Sequence, residues 1–366
     1  MDFTPVTRLM ERIAQIGVPS TDIRVMKEHK LLYQHQNNVD PDDLYYIYSC
    51  SKPLTVTCAM QLYEKGYFLL DDPLYEFIPE YRTMYVRHAD GSVSKAKSPI
   101  TMRQLFTMTA GFNYDLDNPA FRKVKEETQG RCPTLTAIKA LASEPLSFEP
   151  GARWQYSLCH DVLAAAVEAM SGEEFASYAK KHVFDVLGME HTSYQPIEGK
   201  YAPEYRFNDE KNVAEPIPFH VPYIIGTQYA SGGAGISSTA GDYVLFTDAM
   251  ACGGVGANGG RILSPKTIDV MRANQLNEAQ LKDYNWSVVK GYGYGLGVRT
   301  MMERGVSGAP SGYGEFGWGG AAGCYVMIDP ENKLSVFYAQ HMLNNKEPYI
   351  HPRIRNTVYG CLNAEE

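Results

Sequence analysis

The sequence predicts an α/β (α+β) fold of two lobes, in which an antiparallel sheet flanked by helices lies beside a mostly helical lobe. Segments rich in β-formers lie towards both ends of the 366-residue chain, whereas helical segments broken by Pro and Gly occupy its middle. No internal repeat or linker interrupts this order. We therefore expect residues 1–70 and 205–366 to form the sheet-containing α/β lobe and residues 71–204 to form the mostly helical lobe.

The first elements are predicted to be a helix, a hairpin and a strand. Leu9, Ile13 and Ile16 make an apolar stripe that ends at Gly17, which is typical of an amphipathic helix. The segment IRVMKEHKLLYQHQ then predicts a hairpin that leads to a strand at Leu44–Tyr48. Since Pro53 is tolerated only in the first turn of a helix, the next helix is expected to begin at about Ser49.

The middle of the chain is predicted to be helical and its last third to return to strands. The helical candidates are TMRQLFTMTAGF, TLTAIKALAS, DVLAAAVEAMSG and EEFASYAKKHVFDVLGM. The strand candidates are GYGYGLGVRTM, GCYVMID and KLSVFYAQ, the last two joined by a turn at residues 329–332. This turn, Asp-Pro-Glu-Asn, has the composition of a hairpin connection.

Composition excludes several classes of protein. A hydrophobic content of 44%, a charged content of 21% and a net charge of −8 without any basic cluster disfavour nucleic acid and membrane surfaces as partners. The N-terminus is not a signal peptide, and no apolar run approaches the ~20 residues of a membrane span. Seven scattered cysteines without C-x-x-C indicate reduced thiols and a cytoplasmic location, although a chain that had lost a leader would look the same. The oligomeric state is not predicted.

The most informative motif is Ser49-Cys50-Ser51-Lys52, a serine followed three residues later by a lysine at a predicted helix start. Residues three apart share a helix face, so the lysine amine can reach the serine hydroxyl. Serine needs such a proton acceptor to become a nucleophile, and a desolvated lysine can provide it. Four other serines have the same spacing but lie in a turn, in mid-helix or before a glycine-rich run: Ser92, Ser94, Ser177 and Ser287.

Two later segments complete a candidate site. Tyr156 lies just before the predicted helix DVLAAAVEAMSG, and its phenol could exchange protons with Lys52, whose charge would favour the phenolate. The segment FGWGGAAG at residues 316–323 precedes a strand, and its glycines would let a substrate approach the backbone while Trp318 forms a pocket wall. Taken singly, each segment could equally be an ordinary packed tyrosine or a glycine-rich turn.

In this order, the three segments resemble the signature of the serine β-lactamase, penicillin-binding protein and family VIII carboxylesterase superfamily, S-x-x-K, then Y-x-N or S-x-N, then K-T-G. The resemblance extends over most of the chain, through residues 105–111, 150–151, 186–189, 232–242 and 293–297. It implies a two-lobe β-lactamase-like fold with the active site between the lobes. It also implies an acyl-enzyme on Ser49, with Lys52 and Tyr156 as catalytic partners and the N–H groups of Ser49 and Ala321 as the oxyanion hole.

Two departures from the signature bear on the substrate. Tyr156-Ser157-Leu158 has an apolar leucine where class C β-lactamases have asparagine, and Trp318-Gly319-Gly320 replaces K-T-G. At both positions, the sequence is similar to that of family VIII esterases. Leu158, Trp318, Gly319 and Gly320 are therefore expected to bind a small, uncharged ester better than a penicillin or a D-alanyl peptide.

Several alternatives are left open. An acyltransferase, a class C-type β-lactamase or D-amino-acid peptidase, and a non-catalytic ligand sensor would share the same fold. An α/β-hydrolase would need G-x-S-x-G, which is absent, and a metallohydrolase would need a metal-ligand spacing that the nine histidines lack. His160 is expected on the helix surface or as a neighbour of the site. We expect neither a metal nor a cofactor.

Overall fold

The computed structural model describes residues 1–362. Its strands, in chain order, are β1 (Thr21–Lys27), β2 (Lys30–Asn37), β3 (Tyr45–Tyr46), β4 (Tyr85–Arg87), β5 (Val93–Lys95), β6 (Tyr205–Asn208), β7 (Val213–Pro216), β8 (Ser237–Ser238), β9 (Tyr292–Tyr294), β10 (Arg299–Met301), β11 (Phe316–Gly317), β12 (Tyr325–Asp329), β13 (Leu334–Gln340) and β14 (Met342–Leu343). Seven of them form an antiparallel sheet in the order β2-β1-β13-β12-β11-β10-β9. The predicted hairpins β1–β2 and β12–β13 are both present.

The central strands of this sheet are buried on both faces. In β13, Val336 and Tyr338 face the helices of the chain ends, whereas Phe337 and Ala339 face the interior of the molecule. This alternation follows from the two-residue period of a strand. The turn between β12 and β13 is closed by the Asp329 carboxylate, which accepts the N–H groups of Glu331 at 3.0 Å and Asn332 at 3.2 Å.

Helices cover both faces of the sheet and fill the middle of the chain. They are α1 (Thr4–Gln15), α2 (Ser51–Glu64), α3 (Met102–Phe106), α4 (Pro119–Glu127), α5 (Thr134–Leu141), α6 (Cys159–Ser171), α7 (Phe175–Ala179), α8 (Asp185–Leu187), α9 (Ala240–Ala251), α10 (Pro265–Met271), α11 (Glu278–Asp283), α12 (Arg304–Ser307) and α13 (Glu347–Gly360). α1 and α13 pack on one face of the sheet, and α9 packs on the other. α6 is the buried centre of the helical region, where it contacts α2, α3 and α5.

The structure differs from the sequence prediction around Ser49. The expected strand Leu44–Tyr48 is reduced to the two residues of β3, which pair with β8. The α-helix begins at Ser51, and Ser49 lies in a single 3₁₀ turn, Tyr48–Cys50. The backbone cannot continue directly from strand to helix because Tyr48 adopts φ = 50°, a left-handed conformation that interrupts both.

The sheet and the helical region share one hydrophobic core. A single cluster of contacting buried side chains includes Val326 and Phe337 of the sheet as well as Ile138, Leu163 and Val183 of the middle helices. The division into lobes at residues 71 and 204 therefore stays a proposal about organisation rather than a boundary between separate cores.

Candidate active site

Ser49 lies on a turn that is fixed from both sides. Tyr48, immediately before it, is buried and strained at φ = 50°, and its hydroxyl donates to the buried Glu204 carboxylate at 2.6 Å. Two residues later, the Ser51 hydroxyl donates to the Tyr48 carbonyl at 2.7 Å and accepts the Ile236 N–H at 3.0 Å. These bonds hold Ser49, which is half-buried, at the entrance of α2.

Lys52, in the first turn of α2, is buried directly below Ser49. Its Nζ donates to the Gly233 carbonyl at 2.7 Å and lies 3.1 Å from both the Ser49 Oγ and the Tyr114 hydroxyl. Burial lowers the pKa of Lys52 to about 7, against the opposing charge of Asp161. In the neutral form, two N–H bonds suffice for Gly233 and Tyr114, so the lone pair of the amine can face the Ser49 hydroxyl.

Asp161, on α6, is the carboxylate whose charge acts most strongly on Lys52. It is fully buried and accepts hydrogen bonds from Ser231 at 2.7 Å and Tyr229 at 3.1 Å. Burial raises the pKa of Asp161, while these donors and the charge of Lys52 oppose the rise. A Cβ at Gly233 would come to 2.6 Å from its Oδ2, so glycine is required at the residue whose carbonyl accepts the Lys52 hydrogen bond.

Tyr156 lies beside Ser49 and above Lys52. The Lys52 Nζ is 4.4 Å from the centre of its ring, and its hydroxyl accepts the Trp318 indole N–H at 3.1 Å. Burial raises the pKa of Tyr156, and the neighbouring hydroxyl of Ser49 offsets this only in part. The expectation that the phenolate is favoured is therefore wrong, because desolvation by burial is the largest influence on the pKa of Tyr156 and the hydrogen bonds of Ser49 and Trp318 do not offset it. Tyr156 is a neutral hydroxyl that can donate a proton.

The Trp318–Ala321 segment approaches the Ser49 turn closely. A Cβ at Gly320 would lie 2.5 Å from the Ile47 carbonyl, so glycine is required where the two backbones meet. Ala321 follows in the tight turn Gly320–Gly323, closed by the Gly323 N–H on the Gly320 carbonyl at 2.8 Å. The N–H of the second residue of such a turn has no partner within the turn, and Ala321 is exposed to the cavity.

These residues border one cavity of about 580 Å³. Its lining is Ser49, Tyr114, Tyr156, Tyr223, Trp286, Ser287, Val288, Val289, Arg299, Trp318, Gly319, Gly320, Ala321, Glu347 and Pro348. The structure thus brings together the predicted Ser49, Tyr156, Trp318, Gly319, Gly320 and Ala321, with Lys52 just beneath. Leu158 is a correction, because it is 1% exposed, packs in the core and lines a different, smaller depression.

Sequence reasoning missed several residues of the site. Tyr114 is hydrogen-bonded to Lys52, and the charge of Asp161 acts on the same lysine. Tyr223, Trp286 and Glu347 line the cavity. Tyr114, Tyr223, Trp286 and Glu347 lie outside the three predicted segments, although Tyr114 follows the family-like run 105–111 by three residues. Asp161 is the first residue of the predicted helix after Tyr156, but its role was not predicted. Of the two expectations for His160, a place on the helix surface is wrong, because the side chain is fully buried. Burial and the charge of Lys52 lower its pKa to about 3, which fits the other expectation, a neighbour of the site.

A second group of polar side chains lies outside the cavity. His29, in the β1–β2 turn, donates or accepts at 2.7 Å with Asp248 of α9, and Cys252 is nearby, so that one ligand atom of each lies within 4.8 Å of the others. Sequence spacing could not reveal this group because His29 and Asp248 are 219 residues apart. The close His29–Asp248 hydrogen bond explains the arrangement without a metal ion.

The fold and the contact between Ser49, Lys52 and Tyr156 fit a serine hydrolase or acyltransferase. A family model described as Beta-lactamase matches residues 6–357, so the chain belongs to the β-lactamase family, as its motifs predicted. Esterase EstB of Burkholderia gladioli is 30% identical over 319 residues, covering 81% of this chain and 76% of that protein. Protein Rv1367c of Mycobacterium tuberculosis (strain ATCC 25618 / H37Rv) is 29% identical over 312 residues, covering 81% and 77%.

Solved structures share the fold. EstCE1, described as a hydrolase with promiscuous acyltransferase activity, matches with a TM-score of 0.79 and 24% identity, covering 97% of this chain and 98% of that one. Simvastatin synthase (LovD) from Aspergillus terreus matches with a TM-score of 0.80 and 19% identity, with 97% and 98% covered. The predicted β-lactamase-like fold, with an antiparallel sheet flanked by helices, is thereby confirmed. Among the described residues, no helix combines the length and apolar character needed to cross a bilayer.

Proposed function

We propose that this protein is a carboxylesterase that acts on small, uncharged esters through an acyl-enzyme on Ser49. The observation that carries the proposal is the triple contact of Lys52, whose buried amine touches Ser49, Tyr114 and the Gly233 carbonyl. A lysine with a pKa of about 7 is half deprotonated at neutral pH, and this neutral form can accept a proton. Esterase EstB and the lovastatin esterase of Penicillium rubens, 26% identical over 338 residues, support an ester as the substrate.

The proposed acylation begins with transfer of the Ser49 hydroxyl proton to neutral Lys52. Oγ then attacks the ester carbonyl carbon, and the tetrahedral oxyanion is held by the N–H groups of Ser49 and Ala321. When the C–O bond to the alcohol breaks, Tyr156 donates its proton to the leaving oxygen and takes one from the Lys52 ammonium. In deacylation, water gives a proton to neutral Lys52 and its oxygen attacks the acyl carbon. The bond between this carbon and Oγ then breaks, Oγ takes a proton from Tyr156, and Lys52 returns a proton to Tyr156. The carboxylic acid leaves.

The residues that border the cavity support this substrate class. The Trp318-Gly319-Gly320 segment supplies an aromatic wall and backbone groups, with no lysine or threonine to bind a carboxylate. Arg299 also lines the cavity, but its guanidinium donates to Glu315 and to the Val326 carbonyl. An ester without a carboxylate therefore fits better than a penicillin, and the β-lactamase and peptidase alternatives are less favoured.

The proposal is tested by Ser49→Ala with short p-nitrophenyl esters. Turnover should be lost, and intact-protein mass spectrometry of the wild type should show an acyl adduct that Ser49→Ala lacks. Ser177→Ala is the matched control, because Ser177 has the same serine–lysine spacing but lies in α7, away from the cavity. Activity of Ser49→Ala within about tenfold of the wild type would contradict the nucleophile assignment.

A second function, acyl transfer, is favoured by one observation from the relatives. Acyltransferase calJ of Penicillium decumbens is 25% identical over 344 residues and covers 85% of this chain. In this reaction, an alcohol or amine would replace water in attacking the acyl-Ser49. Mass spectrometry of the products formed with and without an added primary alcohol separates the two functions, since only transfer yields a new ester.

A further inference from the structure

The walls of the cavity are unusually aromatic. Five rings line it, those of Tyr114, Tyr156, Tyr223, Trp286 and Trp318. They are in mutual contact, with Tyr156 and Trp318 stacked at 5.8 Å, Tyr156 and Trp286 edge-on at 5.4 Å, and Tyr114 and Tyr223 edge-on at 5.6 Å between centroids. Aromatic faces attract ammonium groups, and the Lys52 Nζ already lies 4.4 Å from the centre of the Tyr156 ring and 5.5 Å from that of the Tyr114 ring.

A carboxylate stands on the same surface. Glu347, the first residue of α13, lines the cavity beside Gly319, whose Cβ position is 3.6 Å from the Glu347 Oε1. Its side chain is 33% exposed. Burial alone would raise its pKa, but the hydrogen bond and charge of His351 and the charge of Arg299 lower the pKa overall, so Glu347 is ionised at neutral pH.

The cations around Glu347 are committed to other partners. Arg299 is buried and donates to Glu315 at 3.1 Å and to the Val326 carbonyl at 2.9 Å. His351 is buried, bonds the Gly323 carbonyl through Nε2 at 3.1 Å and keeps its Nδ1 3.6 Å from Glu347. Lys346 packs its ammonium over the Phe207 ring at 3.6 Å. Glu347 is therefore the more accessible of the two charged side chains that line the cavity, 33% exposed against 7% for Arg299.

We propose that this cavity selects substrates that carry an ammonium group, primary to quaternary, which the aromatic walls surround and Glu347 neutralises. The inference rests on the proposed esterase function and refines it, because the uncharged ester linkage is cleaved while a cationic substituent of the same molecule supplies the affinity. The ammonium can belong to the acyl part or to the alcohol part of the ester. An anionic substituent would face Glu347 and be rejected.

The test compares isosteric ester pairs that differ only in charge. For the alcohol part, the pair is a choline ester and the corresponding 3,3-dimethylbutyl ester, in which carbon replaces the quaternary nitrogen. For the acyl part, it is the p-nitrophenyl ester of a trimethylammonio acid and that of its tert-butyl analogue. We expect kcat/KM to be at least about tenfold higher for the cationic member of one pair, the size of a desolvated cation–π contact with a carboxylate partner. Equal values in both pairs would overturn the proposal.

Variants of Glu347 test whether this carboxylate causes the preference for substrates with an ammonium group. Glu347→Gln keeps the shape of the side chain and should reduce the cationic-to-neutral ratio severalfold, while Glu347→Lys should bring it below one. Glu210→Gln is the matched control, because Glu210 is exposed in the β6–β7 turn and does not line the cavity. An unchanged ratio in Glu347→Lys would contradict the role of this carboxylate.

A binding measurement separates this inference from the proposed catalysis. Trp286 and Trp318 line the cavity, so quenching of tryptophan fluorescence reports ligand binding without turnover. Choline should bind more tightly than 3,3-dimethylbutanol to the wild type and to Ser49→Ala alike. Preferential choline binding by a protein that cleaves no ester would refute the proposed function alone, whereas ester cleavage with equal binding of the two alcohols would refute the ammonium preference alone.

Discussion

Lys52 has two properties that rarely coincide in a lysine, complete burial and direct contact with a serine hydroxyl. Burial lowers its pKa to about 7, and only the neutral amine can accept the Ser49 proton. The ammonium form predominates below this pH and the neutral form above it. We therefore predict that kcat/KM for a p-nitrophenyl ester increases with pH up to about 7 and is level above it.

The matched variant for this pH profile is Lys52→Arg, which keeps a positive charge but cannot give up its proton at any of these pH values. It should lose activity across the whole range, whereas Lys65→Arg, at the end of α2 and outside the cavity, should keep the wild-type profile. A wild-type kcat/KM that does not change between about pH 5 and 8 would show that Lys52 is not the base.

Tyr156 and Lys52 are predicted to act as one unit for proton transfer, since the lysine lies against the tyrosine ring and both contact Ser49. Tyr156→Phe and Lys52→Met should each reduce kcat by about 10²–10⁴. The double variant should lose little more than the worse single one. Tyr313→Phe, at a 60% exposed tyrosine, is the control. A double variant whose loss equals the product of the single losses would mean that the two residues act independently.

Some residues of the site could be predicted from the sequence and others could not. Ser49 and Lys52 share one short motif, so their contact follows from helix geometry. Tyr114 contacts Lys52 from 62 positions away, Asp161 acts on the same lysine from 109 positions away, and Glu347 lines the cavity 298 positions after Ser49. No local pattern encodes such contacts. The sequence also did not give the direction in which the pKa of Tyr156 is shifted, because this shift depends on how deeply the surrounding residues bury the phenol.

Among the elements, the segment before β12 depends on one glycine. Gly320 lies against the Ile47 carbonyl, where a Cβ would approach to 2.5 Å, whereas a Cβ at Gly319 would meet nothing closer than 3.4 Å. We predict that Gly320→Ala lowers the free energy of unfolding by about 1–3 kcal/mol and reduces kcat, because Ala321 moves away from Ser49. Urea titrations of both variants provide the measurement, with Gly319→Ala as the control for stability. Equal stability of the two variants would contradict the close approach.

Hairpins whose signals are local in the sequence were predicted correctly. The errors concern segments whose conformation depends on tertiary contacts. The β12–β13 hairpin follows from an Asp-Pro-Glu-Asn turn and alternating side chains, and it is present as expected. The strand before Ser49 was predicted too long because its residues are β-formers. The strand ends at Tyr46, and Tyr48 takes a left-handed backbone conformation while its hydroxyl donates to Glu204, a residue 156 positions away.

At the scale of the whole molecule, the family-like order of motifs predicted the fold although local patterns alone did not give the strand order. The pairing of β1 with β13 joins the two ends of the chain, and sequence periodicity has no information on such a contact. The common core also makes the molecule more unified than two lobes suggest, since sheet and helical side chains belong to the same buried cluster.

This common core leads to a prediction about unfolding. Phe337 of β13 packs on Tyr243 of α9 at 4.4 Å between ring centroids, and Ile138 of α5 belongs to the same cluster. Because removing either side chain weakens one continuous core, Phe337→Leu and Ile138→Val should both shift a single urea transition to lower concentration. Far-ultraviolet circular dichroism, tryptophan fluorescence and residual esterase activity should lose their signals together. If each variant moved only part of the circular dichroism change, or if activity disappeared in a separate earlier step for Phe337→Leu alone, the sheet and the helical region would be independent units and the proposed lobe division would describe two folding domains.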